Sequence, residues 1–273
     1  AVSVRALVTV RNVGRSAGSS VSLRITSRAE IKSATVNDAA ATFRAQPEAK
    51  GALQRISVTP ATPIAANANA IVALDYRLPV TDNSGLEMVS PLGTAFLPLA
   101  FWYPMLTSRG TDIAPFRLNV NAGGHGETVV ASGAQAIGRA SGSATFEQPL
   151  NAQPFFLTGE WDTSEGAGAA RGINAYLPKG ATKDERAQAD SLIALTQQAR
   201  AFYATLFNGA PDAPVRLVAV RRGAGFNSGG TLLLDAAAFR RAKTDSATAL
   251  QIAETVARLW IGGATSVRGE GGS

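Results

Sequence analysis

The chain of 273 residues contains no cysteine and one histidine, His125, set in Gly123-Gly124-His125-Gly126. Without cysteine there are no disulfides, iron–sulfur clusters or thiol nucleophiles, although this alone does not fix the compartment. One histidine cannot build a two-histidine zinc site, and carboxylates alone suit harder, oxygen-seeking cations better than zinc. A Ser-His-Asp triad would have to use His125, which has no Gly-x-Ser-x-Gly elbow near it, so we read it as a solvated hairpin-tip residue. No apolar run is long enough to span a bilayer. The glycine-rich stretch at 223–230 lacks the Gly-Lys-Ser/Thr that closes a phosphate loop. Charge is also sparse in pattern: 26 basic against 20 acidic residues give +6, but the arginines are mostly single, and only Arg221-Arg222 and Arg240-Arg241 are paired. Nucleic-acid binding would need a basic stripe with interleaved aromatics, so none is expected.

What is present is globular. Hydrophobic residues make up 45% of the chain, with 27 glycines and 13 prolines for turns, and the length suits two domains, 1–148 and 149–273. The first reads as strand and turn. Val2-Ser3-Val4-Arg5-Ala6-Leu7-Val8-Thr9-Val10 and Val21-Ser22-Leu23-Arg24-Ile25 alternate, and further strands are expected at 31–36, 55–58, 70–78, 116–120 and 128–131. Alternation gives each strand one wet face, which predicts antiparallel sheets packed as a sandwich, without a helix longer than two turns. Residues 140–153, small and polar and punctuated by Pro149 and Pro154, read as a linker or crossing segment.

The second part reads as α/β. Strands are expected at 155–161 and 172–177, with a glycine/alanine-rich loop over 162–171 between them. Thr182-Lys183-Asp184-Glu185 matches a capping box for a long helix, whose stripe of Leu192, Leu195, Ala199, Phe202, Leu206 and Phe207 reads as core. Val215-Arg216-Leu217-Val218-Ala219-Val220 is a strand, followed by Gly223-Ala224-Gly225-Phe226-Asn227-Ser228-Gly229-Gly230 and a strand at 231–234. A last helix runs through Gln251-Ile252-Ala253-Glu254-Thr255-Val256-Ala257-Arg258-Leu259-Trp260. Thr244-Asp245-Ser246 supplies its cap, Leu250, Ala253, Ala257 and Trp260 form its buried face, and Gly262-Gly263 its end.

That helix, with its Trp-(apolar)-Gly ending after a glycine-rich loop and strand, resembles the zinc-binding helix of the M1 family of metallopeptidases. The order of Leu74-Asp75-Tyr76, Phe101-Trp102-Tyr103-Pro104, the strand near 115–120 and Val129-Val130-Ala131-Ser132-Gly133 resembles that family's N-terminal β-domain. The resemblance implies an N-terminal antiparallel β-sandwich followed by the α/β lobe of a thermolysin-like domain, truncated, so the chain reads as a fragment. The family carries His-Glu-x-x-His-x-Trp-x-Gly on this helix. Aligned on Trp260 and Gly262, its first histidine falls on Glu254, its catalytic glutamate on Thr255 and its second histidine on Arg258; slid by one residue, Glu254 takes the base position and Ala253 and Ala257 the ligand positions. The family's Gly-Ala-Met-Glu-Asn, which lines the peptide cleft and holds the substrate's amine through its glutamate, corresponds to Gly223, Ala224, Gly225, Phe226 and Asn227, with a phenyl ring where the carboxylate should be. Glu270 stands among glycines, which argues against a third ligand. The expectation is therefore an M1-like protein without metal ligands or cofactor, acting as a peptide- or protein-binding scaffold. One alternative is an active zinc aminopeptidase completed by residues outside the chain, and another is a structural β-sandwich module. Oligomeric state is not set by the sequence. The compartment is open, with an extracytoplasmic one, periplasmic or secreted, as a guess.

Overall fold

Strand Val2–Arg11 alternates half-buried Val2, Val4, Ala6 and Val8 with exposed Ser3, Arg5, Leu7 and Thr9, as one wet face requires. It pairs antiparallel along its full length with Asn69–Leu78, which in turn pairs with Glu30–Val36. These coordinates are a computed structural model that describes every residue except 50, 82, 84, 91–92, 107–112, 123–126, 136–142, 208, 210, 212, 222 and 261–273. The chain divides into two compact units, one of residues 1–89 with 96–112 and the other of 90–95 with 113–273.

In the first unit a second antiparallel sheet runs Met105–Leu106, Val21–Thr26, Leu53–Thr59, Thr42–Pro47. Leu23, Ile25, Ile56 and Val58 of this sheet, and Val72, Leu74 and Tyr76 of the first, are fully or almost fully buried, so the two inner faces make a sandwich core. The Trp-Tyr segment lies in that core. Trp102 is buried, with its ring 6.0 Å from Phe96 and 5.5 Å from Tyr103, and the Tyr76 hydroxyl donates to the Trp102 carbonyl at 2.8 Å. Burial pushes the Tyr76 phenol far above its ordinary value and keeps it a neutral donor. Among the described residues this unit has one helical turn, the 3-10 segment Pro98–Ala100.

The second unit begins with antiparallel pairs. Ala114–Asn121 pairs with Ser143–Ala152, and Thr128–Ala131 with Phe156–Gly159. The stretch read as a linker is thus a ten-residue strand over most of its length. Its Ala144 and Phe146 point inward and are buried, and the register shift between Ala114 and Phe116 falls where Pro149 would interrupt the ladder. The expected strand at 155–161 also divides in two. Its second part, Trp161–Glu165, extends into the predicted loop and pairs antiparallel with Ile173–Pro178.

A five-stranded sheet follows, in the order Trp161–Glu165, Ile173–Pro178, Val215–Val220, Thr231–Asp235, Asn227–Ser228. The second, third and fourth strands are parallel. Parallel neighbours need a crossover, here helix α1 (Lys183–Phe207). Ile173, Ala175, Leu177, Leu217, Leu232 and Leu234 pack on one face with Ala189, Leu192 and Ile193 of α1 and Ile252 and Val256 of helix α2 (Ser246–Ala257). The capping box forms as the sequence predicts: Thr182 N–H donates to Glu185 Oε2 at 2.8 Å, and Glu185 N–H to Thr182 Oγ1 at 3.2 Å.

The apolar stripe of α1 is core only in its first half. Phe202 and Leu206 are each 59% exposed and Phe207 41%. The reason is length. A helix of 25 residues extends about 37 Å at 1.5 Å per residue, whereas strands of five or six residues cover about 20 Å, so α1 overhangs the sheet it packs on.

On the opposite face of the sheet, Arg216 is 5% exposed and donates through Nη1 to the Ala131 carbonyl at 3.2 Å and through Nη2 to the Gly133 carbonyl at 2.7 Å. Burial pulls its guanidinium below the ordinary value. Gly133 has φ +94, and a Cβ there would lie 2.6 Å from the Glu147 carbonyl oxygen, so the corner that receives Arg216 requires glycine. Arg216→Ala should cost about 3 kcal/mol in chemical denaturation, since it empties a buried volume and strips two carbonyls of donors.

Hydrogen bonds from the Thr182 backbone and from Arg240 Nε, at 2.9 Å, hold Glu185 below the usual carboxylate range. A depressed folded pKa means the stabilisation is complete at neutral pH and is lost as pH falls from the unfolded value through the folded one. Wild type should therefore lose more stability than Glu185→Gln between about pH 6 and pH 3, followed by thermal melts across that range.

Candidate functional site

After strand Val215–Val220 the chain turns at Gly223 and Gly225, both in the left-handed region at φ +81 and +92. It then folds back so that Asn227–Ser228 pairs antiparallel with Thr231–Asp235 at the sheet edge. Gly225 N–H donates to the Leu233 carbonyl at 2.8 Å, and Leu233 N–H to the Phe226 carbonyl at 2.9 Å. Gly230 closes the hairpin at φ +76, where a Cβ would stand 2.4 Å from the Pro214 carbonyl oxygen. This fixes what each loop residue presents. Ala224 and Gly225 are exposed, and the Phe226 ring stands edge-on to buried Phe155 at 5.0 Å. The Asn227 amide is enclosed, and neither its Oδ1 nor its Nδ2 finds a partner among the described residues.

Helix α2 starts as its sequence predicts, with Asp245 accepting from Thr248 N–H at 2.7 Å. Its buried face differs from the expected one. Thr248, Ile252, Thr255 and Val256 point into the unit, whereas Leu250 is 71% exposed. At about 100° per residue, Leu250 stands about 200° around from Ile252, so packing of Ile252 against the sheet turns Leu250 to solvent. The helix ends at Ala257, and Trp260 in the turn beyond it donates through Nε1 to the Gly209 carbonyl at 2.9 Å. Gly262, Gly263, Glu270 and His125 lie outside the described residues.

The three positions aligned with the zinc motif separate. Glu254 and Arg258 are exposed and paired, with Arg258 Nη2 2.5 Å and Nε 3.1 Å from Glu254 Oε1. Thr255 is fully buried, and its hydroxyl donates to the Gln251 carbonyl at 2.7 Å. In the slid register Ala253 and Ala257 are half-buried. Helical spacing puts Ala247, Gln251, Glu254 and Arg258 on one strip of α2. Where that strip begins, a cleft of about 380 Å³ lies between the helix start and the loop, lined in part by Ala224, Gly225, Asp235, Arg241 and Gln251. Arg241 and Asp245 pair across its wall. The structure thus brings Ala224 and Gly225 to the same cleft as α2 and turns Phe226 to Phe155. Sequence reasoning missed Gln251, although its place three residues before Glu254 was a usable signal. Among the described residues no three of His, Cys, Asp and Glu come together as a metal-binding group.

No family model and no curated protein sequence matches this chain. Solved structures do. Aminopeptidase A of Legionella pneumophila aligns over 94% of this chain with TM-score 0.69 and 16% identity. Leukotriene A4 hydrolase of Saccharomyces cerevisiae aligns over 93% with TM-score 0.65 and 12% identity, and an M1 zinc metallopeptidase of Deinococcus radiodurans over 94% with TM-score 0.59 and 18% identity. The chain has the fold of M1 zinc peptidases. It spans 32%, 41% and 60% of those three chains. The M1-like fold therefore covers both the sandwich and the α/β part, as the resemblance implies.

Position 255 should reject the residue that the M1 motif would place there. Thr255→Glu buries a charge without a partner and should cost about 3 kcal/mol or more. Glu254→Ala and Arg258→Ala, each breaking an exposed i,i+4 pair, should stay within about 0.5 kcal/mol of wild type in the same denaturation series.

Proposed function

We propose that this chain is an M1-like protein that performs no peptide hydrolysis and uses the cleft between the 223–230 loop and α2 to hold a peptide segment. The observation that carries the first half is the Glu254–Arg258 pair. On the strip where the M1 motif sets two imidazoles, the chain has one carboxylate, and a fixed guanidinium occupies its oxygen. That donor set does not fit zinc, which takes nitrogen and sulfur donors with few carboxylates, and a permanent cation at a ligand position repels the metal. The adjacent position, aligned with the catalytic glutamate, holds Thr255, buried and bonded within its own helix, and a threonine there supplies no base to activate water. Phe226, packed on Phe155, replaces the carboxylate that would hold a free amine.

The second half rests on the loop itself. The hairpin strand Asn227–Ser228 is the outermost of its sheet, and Ala224 and Gly225 present exposed backbone to the cleft. A peptide backbone can pair with such groups, and an added strand is a common way for a sheet edge to take a peptide. The β-sandwich as a purely structural module has less in its favour. On the outer face of its first sheet, exposed Leu7 and Ile71 stand among Arg5, Ser33 and Asp75 rather than in a continuous apolar field.

Two measurements test this reading. The purified chain incubated with aminoacyl and short peptide substrates and added zinc should show no hydrolysis above the blank, and metal-dependent turnover would refute it. Titration with an uncharged, blocked extended peptide should shift the amide resonances of 223–228 and 247–251. Gln251→Ala, which removes an amide from the cleft wall, should weaken that binding by about fivefold to tenfold, in keeping with one lost side-chain hydrogen-bond pair.

A further inference from the structure

The outer face of the second sandwich sheet carries a charge arrangement that the sheet does not need for its own stability. Arg24 and Arg55 are directly opposite each other on neighbouring strands, and Arg55 is opposite Gln46 on the next. Arg44, opposite Ser57, is diagonal to Arg55 on the same face. Like charges facing across a ladder destabilise a sheet. One carboxylate compensates in part: Glu48 takes Arg24 in a two-point grip, with Nε 2.8 Å from Oε1 and Nη2 on Oε2. Those bonds hold Glu48 below the usual carboxylate range. Glu48 is thus bonded to Arg24 and acts on Arg55 only through space, and neither Arg44 nor Arg55 has a salt-bridge partner among the described residues.

The strand beside them is open in two ways. Thr42–Pro47 is the edge of its sheet, and all six of its residues are exposed. Among the described residues it pairs only inward, with Leu53–Thr59, so its outer side offers backbone groups for pairing. At its end is a cavity of about 550 Å³ lined by Arg24, Gln46, Pro47, Glu48, Ala49 and Arg55.

We infer that strand Thr42–Pro47 and the Arg44/Arg55 face beside it bind an acidic peptide in extended conformation. The free edge calls for a partner with its own peptide backbone. The arginines call for carboxylates, in the forked geometry that Glu48 already adopts on Arg24. Alternation along the added strand puts every second side chain over the arginine face, and the carboxylate nearest the strand end enters the cavity beside Arg55. This surface is separate from the 223–230 cleft and does not depend on the reading given for it.

The test uses the full chain and a blocked peptide that alternates glutamate with valine, with a lysine-for-glutamate peptide, a single-stranded oligonucleotide and phosphatidylserine vesicles alongside. The glutamate peptide should shift the amide resonances of 42–47 and 55 and bind more weakly as salt rises. Arg44→Glu with Arg55→Glu should reduce its affinity at least about tenfold without moving the melting temperature of these exposed positions much. Arg44→Lys with Arg55→Lys, which keeps the charge but not the fork, should fall between the two. Binding that survives charge reversal, shifts centred elsewhere, or preference for the lysine peptide, the oligonucleotide or the vesicles would overturn the inference.

Discussion

Three parallel strands, Ile173–Pro178, Val215–Val220 and Thr231–Asp235, oblige the C-terminal sheet to be covered on both faces, and the rest of that unit answers this constraint. Helices α1 and α2 cover one face through Leu192, Ile193, Ile252 and Val256. On the other, Arg216 spends its buried guanidinium on two backbone carbonyls, fixing the strand to the corner at 131–133. Because Ile252 and Val256 must face the sheet, the register of α2 is set by packing. That register then decides that Glu254 and Arg258 point outward and Thr255 inward.

The same constraint bears on the proposal that an M1-like scaffold persists here without the chemistry of the M1 motif. The residues that hold α2 in place are apolar and lie on its buried face. The motif positions at 254 and 258 lie on the strip that bears no packing load. On that proposal, an ion pair in place of ligands at those positions makes little structural difference, since exposed pairs contribute about 0.3–0.5 kcal/mol. Phe226 follows a similar logic, because its ring finds a place against Phe155 without disturbing the backbone bonds to Leu233.

Much of this was legible in the sequence where local chemistry decides the outcome. Thr182 and Glu185 cap α1, Asp245 caps α2, and alternation located Val2–Arg11, Val21–Thr26 and Asn69–Leu78. What failed depends on partners distant in the chain. Ser143–Ala152 looks like a linker because its inward residues include the small Ala144, and only pairing with Ala114–Asn121 makes it a strand. Phe202 and Leu206 have core periodicity but extend past the end of the sheet, which no periodicity can reveal. In the candidate site, the loop at 223–227 and the positions 254, 255 and 258 could be named from sequence alone. The enclosed amide of Asn227 and the part played by Gln251 needed the hairpin and the helix to be set side by side.

On the proposed reading, the strip through Glu254 and Arg258 belongs to an M1-like fold that does not hold the M1 metal. Elemental analysis of the purified protein after dialysis against trace zinc tests it most directly. Zinc should stay far below one equivalent per chain, unchanged in Glu254→Ala. Stoichiometric zinc that is lost in Glu254→Ala would contradict that reading.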